Sequence, residues 1–236
     1  AAASAFDASG LAPVVLSRAT ADSASVTTAL IPWNSCGAYL AAALGIANSE
    51  TITPIAEMKE LIFERTGAQP GTIGGFFKLN PKVDDIPDTL STQLDNIKLM
   101  RLGSVKKGGA GCLCPESTLL KALVTHVVLG RNEVVIMDME AGIEHLGRAT
   151  AQAVDKLIVV VEPGRRSIDT AEHIRRLAGE IHLNNVAIVG NKIRSPKDEE
   201  FLKTHLSGFE FLGFIPYDDA LIEADLSGAS PYETAS

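Results

Sequence analysis

Cysteine is scarce in this 236-residue chain: there are three, Cys36, Cys112 and Cys114. An odd, small number does not make a disulfide framework, so a hydrophobic core has to hold the fold. Long apolar runs are absent, and none reaches the roughly 20 residues needed to cross a bilayer. Basic residues are in deficit, with 21 Lys+Arg against 29 Asp+Glu and a net charge of −8. Such a chain cannot neutralise many phosphates, which argues against nonspecific DNA or anionic-membrane binding. No basic segment precedes an apolar stretch near residue 1, so no secretory leader is expected. Linker-like low-complexity tracts and internal repeats are also missing. What is present is a hydrophobic fraction of 46% and a charged fraction of 21%, enough to bury a large core. These features describe a single cytoplasmic domain spanning residues 1–236.

The order of elements is strand and helix in alternation. Val134-Val135-Ile136-Met137 ends in Asp138. Leu157-Ile158-Val159-Val160-Val161 ends in Glu162-Pro163. Val186-Ala187-Ile188-Val189 ends in Gly190-Asn191, and Phe211-Leu212-Gly213-Phe214-Ile215 ends in Pro216. Each run is too short and too β-branched for a helix. None alternates apolar with polar, so both faces are expected to be buried, as in a parallel sheet. Between them, Ser117 to Leu129 and Ser167 to Ile181 carry helical apolar stripes. Ser195-Pro196-Lys197-Asp198 is a helix start: a Ser N-cap, Pro in the first turn and an acid three residues on. The spacing predicts an α/β fold, a mostly parallel sheet wound with helices on both faces.

Residues 1–50 are atypical. They hold 15 alanines and no lysine, and their only charges are Asp7, Arg18, Asp22 and Glu50. Leu40 to Leu44 still patterns as helix. The segment reads either as a buried first strand and helix or as a stretch whose identities do not report the true side chains.

Ligands of open parallel sheets bind beyond the carboxyl ends of the strands. The residues falling there are Asp138, Glu162, Asn191 and Pro216. Asp138 after four apolar residues is the pattern of an acid that reaches a Mg²⁺-bound water near a phosphate, or of a cap on the next turn. Ala141-Gly142 behind it allows a tight backbone approach to a ligand. The Asn191 amide can donate to and accept from a purine edge, or serve as a turn residue. Pro216 either lies against a base or ends a strand. Cys112 and Cys114 come after Lys106-Lys107-Gly108-Gly109-Ala110-Gly111. Two thiolates are half of a tetrahedral S₄ site, which a two-fold dimer would complete; otherwise they are two exposed loop thiols. The phosphate-loop pattern Gly-x-x-x-x-Gly-Lys-[Ser/Thr] occurs nowhere, and Lys107 to Gly111 cannot replace it because Cys112 and Leu113 stand where Lys and Thr are needed.

Together these stretches resemble one family. From about Thr51 to Tyr232 the chain is similar to the nickel-inserting maturation ATPases of carbon monoxide dehydrogenase, the CooC type, a branch of the MinD-like P-loop ATPases. The matching segments are Ile52 to Lys59, Leu79 to Val83, the Lys-Lys-Gly-Gly…Cys-x-Cys run at 106–114, Val135 to His145, Glu162-Pro163, Asn191-Lys192 and Gly213 to Tyr217. The Cys-x-Cys pair separates this branch from the cell-division and partitioning members. The resemblance implies a cytoplasmic ATPase that dimerises face to face around ATP or ADP, with Cys112 and Cys114 of two subunits holding one Ni²⁺ or Zn²⁺. It implies a catalytic role for Asp138 in the Mg²⁺ shell and places Asn191 and Pro216 at the adenine. The partner it implies is a nickel enzyme, carbon monoxide dehydrogenase or the related acetyl-CoA synthase, with neither nucleic acid nor membrane.

The chain departs from the family at its start. The family's Gly-Lys-Gly-Gly-Val-Gly-Lys-Thr loop aligns with Asp7 to Val15, and only Gly10 survives as a nucleotide-binding candidate. Leu30-Ile31-Pro32-Trp33 stands where an acidic switch segment is expected. Either ATP hydrolysis has been lost or residues 1–40 do not report the true side chains, and the well-kept remainder favours the second. Two other functions compete: an ATPase-inactive dimeric metal-binding or regulatory module, and a MinD/ParA-like positioning ATPase. The second of these usually needs a membrane helix or a basic DNA surface, and the segment Pro231 to Ser236 supplies neither.

Overall fold

The β-branched runs and the helical stripes assemble around one twisted sheet. In the computed structural model the residues described are 12–17, 27–31, 40–41, 43–46, 52–70, 76–103, 115–130, 134–138 and 154–231. The strands are β1 (Ala12–Ser17), β2 (Thr27–Ile31), β3 (Thr92–Leu94), β4 (Ile97–Arg101), β5 (Val134–Asp138), β6 (Lys156–Val161), β7 (Val186–Ile193) and β8 (Glu210–Pro216). The helices are α1 (Lys59–Thr66), α2 (Ile86–Thr89), α3 (Pro115–Gly130), α4 (Arg165–Glu180), α5 (Pro196–His205) and α6 (Asp219–Ser227), with a 3₁₀ turn at Ile55–Glu57.

The sheet order is β3-β4-β2-β5-β1-β6-β7-β8. β2, β4 and β5 are parallel, and so are β6, β7 and β8. β1 lies between the two groups and is antiparallel to both β5 and β6, so all six of those strands run one way. The sheet is therefore mostly parallel, as the apolar runs predict, with two exceptions. An apolar run states that a strand is buried but not which way it points, and β1 is inserted against the common direction. β3 is the other exception, a short hairpin partner of β4.

The core is aliphatic. Val135 and Met137 of β5, Leu157, Val159 and Val161 of β6, and Ile188 of β7 are buried with one face of each neighbouring helix. In α3 that face includes Leu119, Leu123 and Val127; in α4 it is Ile168, Ala171, Ile174 and Ala178. These are the stripes expected from the spacing. α5 starts where the Ser-Pro signal puts it: the Asp198 carboxylate accepts hydrogen bonds from the backbone N–H of Arg194 at 2.8 Å and of Ser195 at 3.2 Å. Leu40 and Ala41 form a smaller cluster with Leu99.

β8 breaks the expectation of two buried faces. It is the last strand of the sheet, and Leu212 and Ile215 are 42% and 40% exposed. β7 is also longer than its apolar run, continuing through Asn191 and Lys192 to Ile193.

Candidate functional site

At the carboxyl edge of the parallel strands, several strand ends deliver a polar residue. β5 delivers Asp138, which is buried at 5% exposure. β4 delivers Arg101, also buried, whose guanidinium donates to the Ile52 carbonyl at 2.9 Å. That bond and the Ala56 N–H to Leu102 carbonyl bond, 2.9 Å, fasten the Ile52-to-Glu57 segment across the end of β4. Gly103 makes the close approach possible. It has φ of +78°, and a Cβ there would stand 2.6 Å from the Pro54 Cβ. β4 therefore ends at Arg101, just ahead of this close approach.

The other half of the edge is built by β6, β7 and β8. Val161, Gly190 and Phe214 are in register, which brings Glu162, Asn191 and Pro216 to neighbouring strand ends. The β7–β8 pairing carries two irregularities that compensate. Between Ile188 and Val189 the extra residue is on β8; between Gly190 and Ile193 it is on β7. The second is a bulge containing Asn191 and Lys192, and bulges of this kind re-aim side chains beside functional sites. Lys192 has φ of +54°, a left-handed conformation that lysine rarely adopts. Its ammonium lies 2.6 Å from the Glu162 carboxylate. Beyond the bulge, the Tyr217 N–H donates to the Ile193 carbonyl at 2.9 Å, and the Arg194 guanidinium lies 4.4 Å above the Tyr217 ring. Asn191 is 9% exposed.

Asp138 and Asn191 are three strands apart in the sheet, about 14 Å at ordinary strand spacing. They cannot touch one atom, but they can hold opposite ends of one extended ligand.

Comparison with known proteins decides the family. The chain is 45% identical over 192 residues to the uncharacterized ATP-binding protein MJ0823 of Methanocaldococcus jannaschii, covering 80% of this chain and 74% of that protein. It is 43% identical over 198 residues to the carbon monoxide dehydrogenase accessory protein CooC of Rhodospirillum rubrum, covering 83% and 75%. The chain belongs to the CooC family of MinD-like P-loop ATPases. The fold agrees: a ParA family ATPase from Chlorobium tepidum superposes with a TM-score of 0.60 at 16% identity, covering 91% of this CooC-family chain and 82% of that one. A chain of the Aquifex aeolicus MinC:MinD cell division protein complex gives 0.57 at 16% identity, covering 87% and 74%. No protein-family model matches the chain.

Of the residues singled out from the sequence, Asp138, Asn191 and Pro216 all lie on the carboxyl edge of this CooC-family sheet. Gly10, Cys112 and Cys114 lie outside the described residues. A buried acid at one end and a buried amide at the other suit the metal and base ends of a nucleotide. A triphosphate cradle is not supplied by the described residues. β1 enters the sheet at the edge where Asp138 ends β5, with Val14 opposite Asp138, and ends at Ser17 opposite Val135 on the other edge. A phosphate loop placed after a first strand would need that strand to run the other way. Among the described residues no cluster of three metal-ligating side chains occurs, and no helix is long and apolar enough to cross a membrane.

The Glu162–Lys192 ion pair, the Lys192 bulge and the Arg101 anchor are not legible in the sequence. Both Glu162 and Asn191-Lys192 end apolar runs, and that common position is the signal that could have paired them.

Proposed function

We propose that this chain is an ATP-dependent metallochaperone that assists nickel insertion into carbon monoxide dehydrogenase or the related acetyl-CoA synthase. The observation that carries the reading is the 43% identity with a carbon monoxide dehydrogenase accessory protein over 83% of the chain. The buried Asp138 supports it from the site. An acid held at a strand end orients a Mg²⁺-bound water when Mg²⁺-nucleotide is bound, while Asn191 reads the base and Pro216 flanks it. Ni²⁺, with Zn²⁺ as the competing occupant, is cargo held by Cys112 and Cys114 of two subunits. A state-dependent dimer would couple nucleotide to cargo, since a ligand shifts the population toward the state that it binds better.

Calorimetric titration with Mg²⁺-ATP tests the nucleotide half. Saturable binding is expected, and no binding at millimolar nucleotide would remove the ATP-dependent reading. A dimeric metal-binding module without ATPase activity is the second reading. The antiparallel β1 and the absent phosphate-loop motif favour it.

A further inference from the structure

We propose that Glu162 and Lys192 form a positioning pair for Asn191, and that this pair sets the preference for adenine over guanine nucleotides. The inference rests on the assignment of Asn191 to the base.

Asn191 sits in the bulge of β7. The ladder to β8 resumes only at Ile193, so the Asn191-Lys192 peptide lies outside the regular pairing with that strand. Lys192 holds φ of +54° without being glycine, a conformation that persists only when its surroundings determine it. Clamps act on it from two sides. On the β8 side, the Tyr217 N–H to Ile193 carbonyl bond and the Arg194–Tyr217 stacking fix the backbone just past the bulge. On the β6 side, the clamp is the 2.6 Å contact between the Lys192 ammonium and the Glu162 carboxylate.

Those two side chains are 47% and 27% exposed. The contacting Glu162 Oε1 is buried, but with the Lys192 end this exposed the pair contributes little to folding. What the contact does is fix the direction of the Lys192 side chain, and with it the peptide plane that aims the preceding amide. Adenine and guanine differ in which edge atoms donate and accept. An Asn amide discriminates between them only while its oxygen and nitrogen are held in one orientation. A site built to satisfy one donor–acceptor pattern rejects the other strongly; one whose amide can rotate does not.

The test is calorimetric affinity for Mg²⁺-ATP and Mg²⁺-GTP in the full chain, with thermal midpoints as a check on folding. Variants are Glu162→Gln, Lys192→Ala, Lys192→Arg, Asn191→Ala and the double Glu162→Gln/Asn191→Ala. The expected result is a fall of about 10-fold in the ATP-over-GTP preference for Glu162→Gln and for Lys192→Ala, because a small misplacement of a recognition group costs that much or more. Lys192→Arg should recover most of the preference. The double variant should lose no more than Asn191→Ala alone, since a positioning residue has nothing left to position. A merely structural pair would move the thermal midpoint and leave the preference in place, which would overturn the proposal. If Asn191→Ala collapses the preference while Glu162→Gln keeps it, the pair is not a positioning device and the base assignment stands. If Asn191→Ala keeps the preference as well, both fall.

Discussion

Asp138 concentrates the chemistry expected of this molecule in one carboxylate. Its exposure of 5% at the end of β5 means that a substitution there by Asn changes charge more than shape. Asp138→Asn should lower ATP hydrolysis by about 100-fold with the fold intact, because a transition-state charge arrangement is lost while the volume is kept. Steady-state phosphate release and circular dichroism on the same sample measure the two quantities. Arg65 and Asp85 give a residue-scale effect of a different kind. The guanidinium donates to both carboxylate oxygens, at 2.8 and 2.7 Å. The hydrogen bond from Arg65 is the largest cause holding the Asp85 carboxyl below its ordinary value of 3.8. A carboxyl depressed in the fold contributes stability above its unfolded value, and that contribution is lost as pH falls through the folded one. The pair's share should therefore be flat from neutral pH down to the ordinary carboxylate value and shrink progressively below it. Asp85 is 38% exposed, so solvent screening limits that share to about 1 kcal/mol or less. Urea midpoints of the wild type and Asp85→Asn should differ near pH 7 and draw together as pH falls below the ordinary carboxylate value; a constant gap would refute this origin.

Elements differ in how much of them the chain announces. β5 and β6 were legible almost to the residue, because a strand buried on both faces is a short β-branched run stopped by a polar residue. α4 was legible because Ile168, Ala171, Ile174 and Ala178 fall on one helical face. α5 was legible from its cap alone. β4 was not, because Lys98 and Arg101 interrupt the apolar pattern of Ile97 to Arg101. The direction of β1 was not legible either, since pairing sense depends on strands far along the chain. The continuation of β7 past Gly190 depends on β8, so nothing local to Asn191-Lys192 reveals it.

Two substitutions test these elements. Ile174, 1% exposed, anchors α4, and Ile174→Ala should cost about 2–5 kcal/mol in a urea melt. Gly190 lies against Phe214, with the place of its absent Cβ 2.5 Å from Phe214 Cδ1. Gly190→Ala should cost about 1–3 kcal/mol and weaken nucleotide binding through the adjoining bulge. No change in either stability or nucleotide binding for Gly190→Ala would contradict the close β7–β8 packing.

For the whole molecule, one subunit offers two thiolates, Cys112 and Cys114, and a tetrahedral metal needs four donors. That shortfall predicts a closed two-fold dimer whose population rises with ATP, and sedimentation should show it; monomer with both ATP and metal present would count against it. Structural zinc is the alternative, and exchange separates the two: delivery requires release when the nucleotide changes. The most direct measurement is metal stoichiometry and release rate for the wild type and for Cys112→Ser/Cys114→Ser, each with ATP and with ADP. The account predicts one Ni²⁺ or Zn²⁺ per two chains in the wild type, none in the double variant, and a release rate that changes between ATP and ADP. Unchanged metal content in the double variant, or release indifferent to nucleotide, would contradict it.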